Sequence, residues 1–320
     1  MKKIVLIMVM CAGVLFANAQ LIKRDFLDGY GVGEDLEKGA YSGTDQATVT
    51  IKPNQWNLSG KAGANDQGGS TAITTGPLFY ADYAESGNDV AIAMAKQASG
   101  YQRTTIYSLV SDNTYGAGTY YLAFMTNVMD ASPTATHEYV AFDGNFTGNA
   151  QRARIAVRRT AEEAPTYGFG LSGDGAAPTS VSGTFNIDET YLLVLKVVLA
   201  GGGAGTASLY VNPDPKAAEP ASALINAVVV SGLNSIRGVV VRQRSTIEAE
   251  IGGFRCAKTW EDALGQGGSA IPAITADKGE IATVNCYTVT GCKVSEPASG
   301  ICIQKTVYKS GAVETAKILK

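Results

Sequence analysis

The chain has 320 residues, a formal net charge of −3 and only 17% charged side chains, against about 25% in a typical soluble domain. That acidic balance excludes the basic footprint of a nucleic-acid binder. After the N-terminal leader no run approaches the ~20 apolar residues that cross a bilayer, so no transmembrane segment is expected once the leader is removed.

The leader comes first. Met1-Lys2-Lys3 supplies a positive n-region, Ile4 to Phe16 an apolar stretch, and Ala17-Asn18-Ala19 the small residues read by a signal peptidase. Residues 1–19 are therefore read as a signal peptide, with Gln20 as the new N-terminus and an exported protein at the cell surface or outside the cell. Cys11 follows Met10, which is too bulky for a lipobox, so lipidation is not expected.

Residues 20–264 carry short apolar runs rich in Val, Leu, Ile and Tyr, each ended by Gly, Pro or Asn. This is the pattern of antiparallel strands and their turns. Predicted strands cover 47–51, 90–95, 102–109, 119–126, 137–142, 153–158, 167–171, 191–199, 207–211, 227–230, 238–244 and 248–254. A dozen strands without a long helical pattern predict an all-β, two-sheet antiparallel jelly-roll sandwich. Tyr191 to Leu199 is apolar on both faces except at Lys196, as in a strand buried on both sides. Arg152, Arg154 and Arg158 alternate with Ala153, Ile155 and Val157, as on a strand with one wet face.

Residues 265–277 read as a linker. Residues 278–320 form a small C-terminal β unit with strands near 281–289, 300–308 and 313–319, too short to bury a large core alone. Cys256, Cys286, Cys292 and Cys302 remain after leader removal. An even count in an exported chain admits disulfides, with three connectivities open. No C-x-x-C and a single histidine, His137, argue against zinc.

Two resemblances follow from particular residues. Gly76-Pro77-Leu78, Tyr80, Tyr83, Tyr120 to Phe124, Thr190-Tyr191-Leu192, Leu209 to Pro213, Glu219-Pro220, Arg242-Gln243, Phe254-Arg255 and Trp260 resemble concanavalin A-like, lectin/glucanase-type jelly-roll modules of secreted Bacteroidetes proteins. Tyr287 to Gly291, Lys293-Val294, Gly300 to Ile303 and Lys317 to Lys320 are similar to the C-terminal sorting domains of type IX secretion. Cys302 departs from that pattern, standing where an aromatic residue is usual. These resemblances imply glycan partners for the sandwich and secretion machinery as the partner of the tail.

For chemistry, glucanases of this fold pair carboxylates along one strand. The nearest approach is Glu248 with Glu250, without a third carboxylate in register. A lyase base would have to be His137, beside Glu138, and no G-x-S-x-G elbow exists for a serine hydrolase. The expectation is therefore a protein that is not an enzyme: a carbohydrate-binding or adhesion module. The alternatives are a structural scaffold of the cell envelope without a small ligand, or a divergent polysaccharide hydrolase. Candidate ligand-binding residues are Trp56 and Tyr115 as stacking surfaces, Asp112 and Asn113 as hydrogen-bonding groups, and Arg152 and Arg154 on a basic strip that Arg158, Arg242 and Arg244 extend. Their ordinary readings are a core or rim tryptophan, a hairpin end, and arginines paired with acidic neighbours. No cofactor is expected; calcium enters as a candidate at Asp143-Gly144-Asn145 and Asp174, a pattern that plain turns share.

Overall fold

A computed structural model describes residues 21–37, 52–58, 71–99, 101–109, 115–145, 151–266, 281–288, 293–294, 301–308 and 313–319. In chain order the strands are β1 (Leu21–Lys23), β2 (Trp56–Leu58), β3 (Ile73–Thr75), β4 (Ala91–Met94), β5 (Gln102–Ser108), β6 (Gly118–Asp130) and β7 (His137–Asp143). There follow β8 (Gln151–Arg159), β9 (Thr166–Ser172), β10 (Ser182–Asn186), β11 (Thr190–Gly201), β12 (Ala204–Val211), β13 (Ile225–Ser231), β14 (Gly238–Arg244) and β15 (Glu248–Ala257). A one-turn helix, α1 (Trp260–Leu264), closes this part. Then come β16 (Ile281–Thr288), β17 (Lys293–Val294), β18 (Ile301–Tyr308) and β19 (Val313–Leu319).

Two compact units divide at Gly267/Gly268. In the first, sheet I has the order β13-β12-β11-β6-β15-β4-β3, with β1 also on β15, and sheet II the order β10-β9-β8-β7-β14-β5-β2. The pairings within both are antiparallel. Because β6 lies in sheet I and β7 in sheet II, and β14 in sheet II and β15 in sheet I, the chain crosses repeatedly between layers, as in a sandwich. The second unit is a four-stranded sheet, β17-β16-β18-β19.

The core follows from alternation. Ala153, Ile155 and Val157 of β8 face inward with Tyr167, Phe169 and Leu171 of β9, against Leu193, Leu195 and Val197 of β11. At one end Phe26, Trp56, Tyr107, Phe124 and Phe254 form an aromatic cluster, with Phe26 and Tyr107 centroids 4.4 Å apart. The other side of β11 explains its double apolar pattern. Leu192 and Val194 pack on the outer face of sheet I with Ala123, Met125, Tyr121 and Tyr210, beneath Trp260 and Leu264 of α1. That helix is held at its start by Thr259, whose hydroxyl accepts from the Asp262 amide, and at its end by Gly265 at φ 78°, a left-handed conformation that suits glycine. Lys196, the one polar interruption, reaches out to Glu219 at 2.6 Å.

Several elements differ from the expected ones. The strand expected over 47–51 lies outside the described residues. β2, β3 and β10 are three to five residues long, too short to display a period. α1 is a single turn.

Candidate functional site: an arginine cluster on the outer face of sheet II

β7, β8 and β14 present alternate side chains outward. Val240 pairs across the ladder with Ala141 of β7 and Ile106 of β5, and these three form a small buried apolar patch of their own on that face. Beside it, irregularities in the β7–β8 register between Glu138 and Val140 re-aim the start of β7, as bulges do. The Glu138 carboxylate there meets three guanidiniums. Its Oε1 accepts from Arg154 Nη1 at 3.2 Å, Arg242 Nη1 at 2.5 Å and Arg244 Nη2 at 2.5 Å. Arg242 also donates to Gln102 Oε1 at 2.6 Å. The Glu138 side chain is 5% exposed, whereas Arg242 is 15% and Arg244 23% exposed, so the outer rim of the cluster is cationic and solvent-facing.

Electrostatics agree with the geometry. Burial pushes the Glu138 carboxyl up, but Arg244 and Arg242 outweigh it and hold the group below the usual glutamate value. His137, one residue away and half-buried, is pushed below its usual value, first by burial and then by Arg244 and Arg242. Its imidazole is therefore neutral near pH 7 and able to accept a proton. The arrangement can bind carboxylates through charge-assisted, fork-shaped contacts.

The sequence candidates fare unevenly. Arg154 belongs to the cluster. Arg152 does not join its Glu138 contacts; it ties the layers together, donating from Nε to the Ser231 carbonyl at 2.7 Å and from Nη1 to the Gln151 carbonyl at 2.8 Å. Trp56 is corrected as a sugar platform: it is 1% exposed in the aromatic cluster and its Nε1 donates to the Phe26 carbonyl at 3.1 Å. Tyr115 is half-buried, edge-on to Tyr120 at 6.1 Å, with Lys258 Nζ over its ring at 5.8 Å. Asp112 and Asn113 lie outside the described residues. The arginine pairing with an acidic neighbour, the ordinary reading, is present, but with three guanidiniums to one carboxylate.

Other candidates resolve into structure. Asp143 Oδ2 accepts from the Asn145 amide, and Asp174 Oδ1 from Ser172 Oγ and the Ala176 amide. Both carboxylates thus hold turns, and no group of three or more potential metal ligands occurs among the described residues. Glu250 stands opposite Ala93 and Asn127 across its two ladders, with its pKa raised by burial. Cys256 is a free, buried thiol pushed up to about 12, and Cys286 is also free.

No family model matches the chain and no curated protein matches it. Among solved structures it is similar to the catalytic domain of a GH131 β-glucanase from Podospora anserina, at 10% identity and TM-score 0.41, covering 76% of this chain and 99% of that one. It is also similar to the endo-β-1,4-glucuronan lyase of Trichoderma reesei, at 8% and 0.37, over 62% and 91%. A third is alginate lyase Aly36B, at 12% and 0.37, over 72% and 93%. The likeness is one of fold alone, which does not by itself fix function. It corrects one expectation: these three neighbours are enzymes by name, which stands against the reading of the chain as not an enzyme, and that reading is withdrawn. That reading rested on missing linear motifs, whereas His137, Glu138 and the arginines are assembled from three strands.

Proposed function

We propose that the chain is an exported protein that recognises an acidic polysaccharide, bound through its carboxylates along the outer face of sheet II. The convergence of Arg154, Arg242 and Arg244 on the single carboxylate of Glu138 carries this reading. Glu138 fixes the guanidiniums in place, and the more exposed edges of Arg242 and Arg244 offer donors to a ligand carboxylate at little ordering cost. Isothermal titration of the intact chain with a polyuronate oligosaccharide and with a neutral glucan of equal length tests it. The expected result is binding of the polyuronate only, weakened by salt, and at least about tenfold weaker (~1.4 kcal/mol) in Arg244→Ala. Equal binding of the neutral glucan, or an unchanged Arg244→Ala, contradicts it. Assaying the same samples for new chain ends shows whether binding leads to cleavage.

Export rests on the leader pattern of residues 1–19, and kinship with secreted Bacteroidetes modules on the residues quoted above. Delivery to the surface is assigned to the tail, on its similarity to type IX sorting domains. Removal of residues 278–320 is expected to leave the protein inside the cell envelope; surface display without them contradicts that role.

A further inference from the structure

β14 does not end at Arg244. Ser245 and Thr246 continue from it within two Cα steps of about 3.8 Å each and form one wall of a cleft of about 440 Å³ at the end of the sandwich. That volume lies in the range of small-ligand sites. The cleft draws on both layers: Asp130 closes β6 of sheet I, and Arg159 closes β8 of sheet II.

Its chemistry is opposite to that of the arginine face. Two cations line it, Lys96 and Arg159, and both are engaged by Asp130, Arg159 Nη2 at 2.7 Å. Asp130 is held below the usual aspartate value, burial being outweighed by Lys96 and Arg159. Glu162 and Glu163 are exposed on the same walls, so carboxylates outnumber cations there by three to two. Thr246 and Arg159 also line the cleft, one bringing a hydroxyl and the other a guanidinium. A second uronate would meet Glu162 and Glu163 at a like charge, whereas hydroxyl or amide groups can donate to the glutamates and accept from Arg159.

We propose that this cleft is a second subsite, continuous with the arginine face at Arg244, for an uncharged sugar next to the acidic one. The unit recognised is then a uronate joined to a neutral or N-acetylated sugar, not a run of uronates. The inference rests on the proposed binding of acidic polysaccharide at Glu138 and its arginines, and it narrows the ligand class.

The test is calorimetric titration of the intact chain with two oligosaccharides matched in number of carboxylates, a homopolymeric uronate and an alternating uronate–N-acetylhexosamine. The expected result is at least about tenfold tighter binding of the alternating probe. Thr246→Ala and Glu163→Gln should lower its affinity by a larger factor than that of the homopolymer, while Arg244→Ala lowers both. Equal or tighter binding of the homopolymer overturns the second subsite and leaves the arginine face standing. So does a preference that survives both cleft variants, or variants that weaken the two probes equally. If the wild-type chain binds neither probe, the arginine-face reading falls together with it.

Discussion

Sheets I and II share one interior, yet their outer faces have different fates. On sheet I the outward residues of β6 and β11, Ala123, Met125, Leu192 and Val194, are apolar and lie under Trp260 and Leu264 of the chain's own helix. On sheet II a smaller outward apolar group, Ile106, Ala141 and Val240, lies beside Glu138 and its arginines. An outward face that reads as apolar is covered by its own chain, because leaving it wet forgoes about 25 cal/mol for each Å² of apolar surface. An outward face carrying partly exposed guanidiniums around one buried carboxylate holds its charge in a fixed pattern, which is of use to a ligand and of doubtful use to stability.

Substitutions that break each face sharpen this contrast. The largest effect is expected on the covered face: Trp260→Ala removes the ring that packs on Tyr210 at 5.0 Å and Tyr121 at 6.0 Å. It should cost about 3–5 kcal/mol in urea unfolding. A loss below about 1 kcal/mol would mean that α1 covers nothing of consequence.

On the charged face, Glu138→Gln leaves three guanidiniums without their shared carboxylate and is expected to cost about 3 kcal/mol. Because the folded-state pKa of Glu138 is depressed, its contribution is present above the unfolded value of about 4.3 and is lost as pH falls through the lower folded value. The wild-type chain should therefore lose stability on acidification below about pH 4.3 more steeply than the variant, as followed by circular dichroism.

His137 gives a smaller effect at higher pH. Its folded pKa is also depressed, so below about pH 6.5 the unfolded chain binds a proton that the folded chain does not, and stability falls. His137→Gln should flatten the stability profile between about pH 6.5 and 5, measured by thermal melts; an unchanged slope counts against a neutral imidazole there. Smallest is Thr259→Ala, which removes the N-cap hydroxyl of α1 and should cost about 1 kcal/mol without altering binding at sheet II.

Much of the architecture was legible in the chain, and the reason is length. β8, β11, β14 and β15 are seven to twelve residues long, enough for a period of two to show. The double apolar pattern of β11 announced a strand buried on both sides, and Lys196, its one polar interruption, is met by Glu219. β2 did not announce itself: three residues carry no period, and Trp56 within it resembles an exposed aromatic as easily as a core one. The site was legible in pieces. The basic strip and the His137-Glu138 pair could each be seen, but bringing them together depends on which strands are neighbours. β7 lies between β8 and β14, and a register irregularity at Glu138/Val140 aims the carboxylate. Neither feature is written in the period of any one strand. A carboxylate directly before an apolar run, Glu138 before Tyr139, Val140, Ala141 and Phe142, was the signal available.

The arginine face as the binding surface is tested most directly by following the arginine Nε–H resonances of the labelled, intact chain during titration with a polyuronate oligosaccharide. The account predicts that those of Arg242 and Arg244 move with ligand, while Arg255, buried against Glu85 on sheet I, stays in place. Resonances that all stay still, or an Arg255 that moves as far as Arg244, would contradict it.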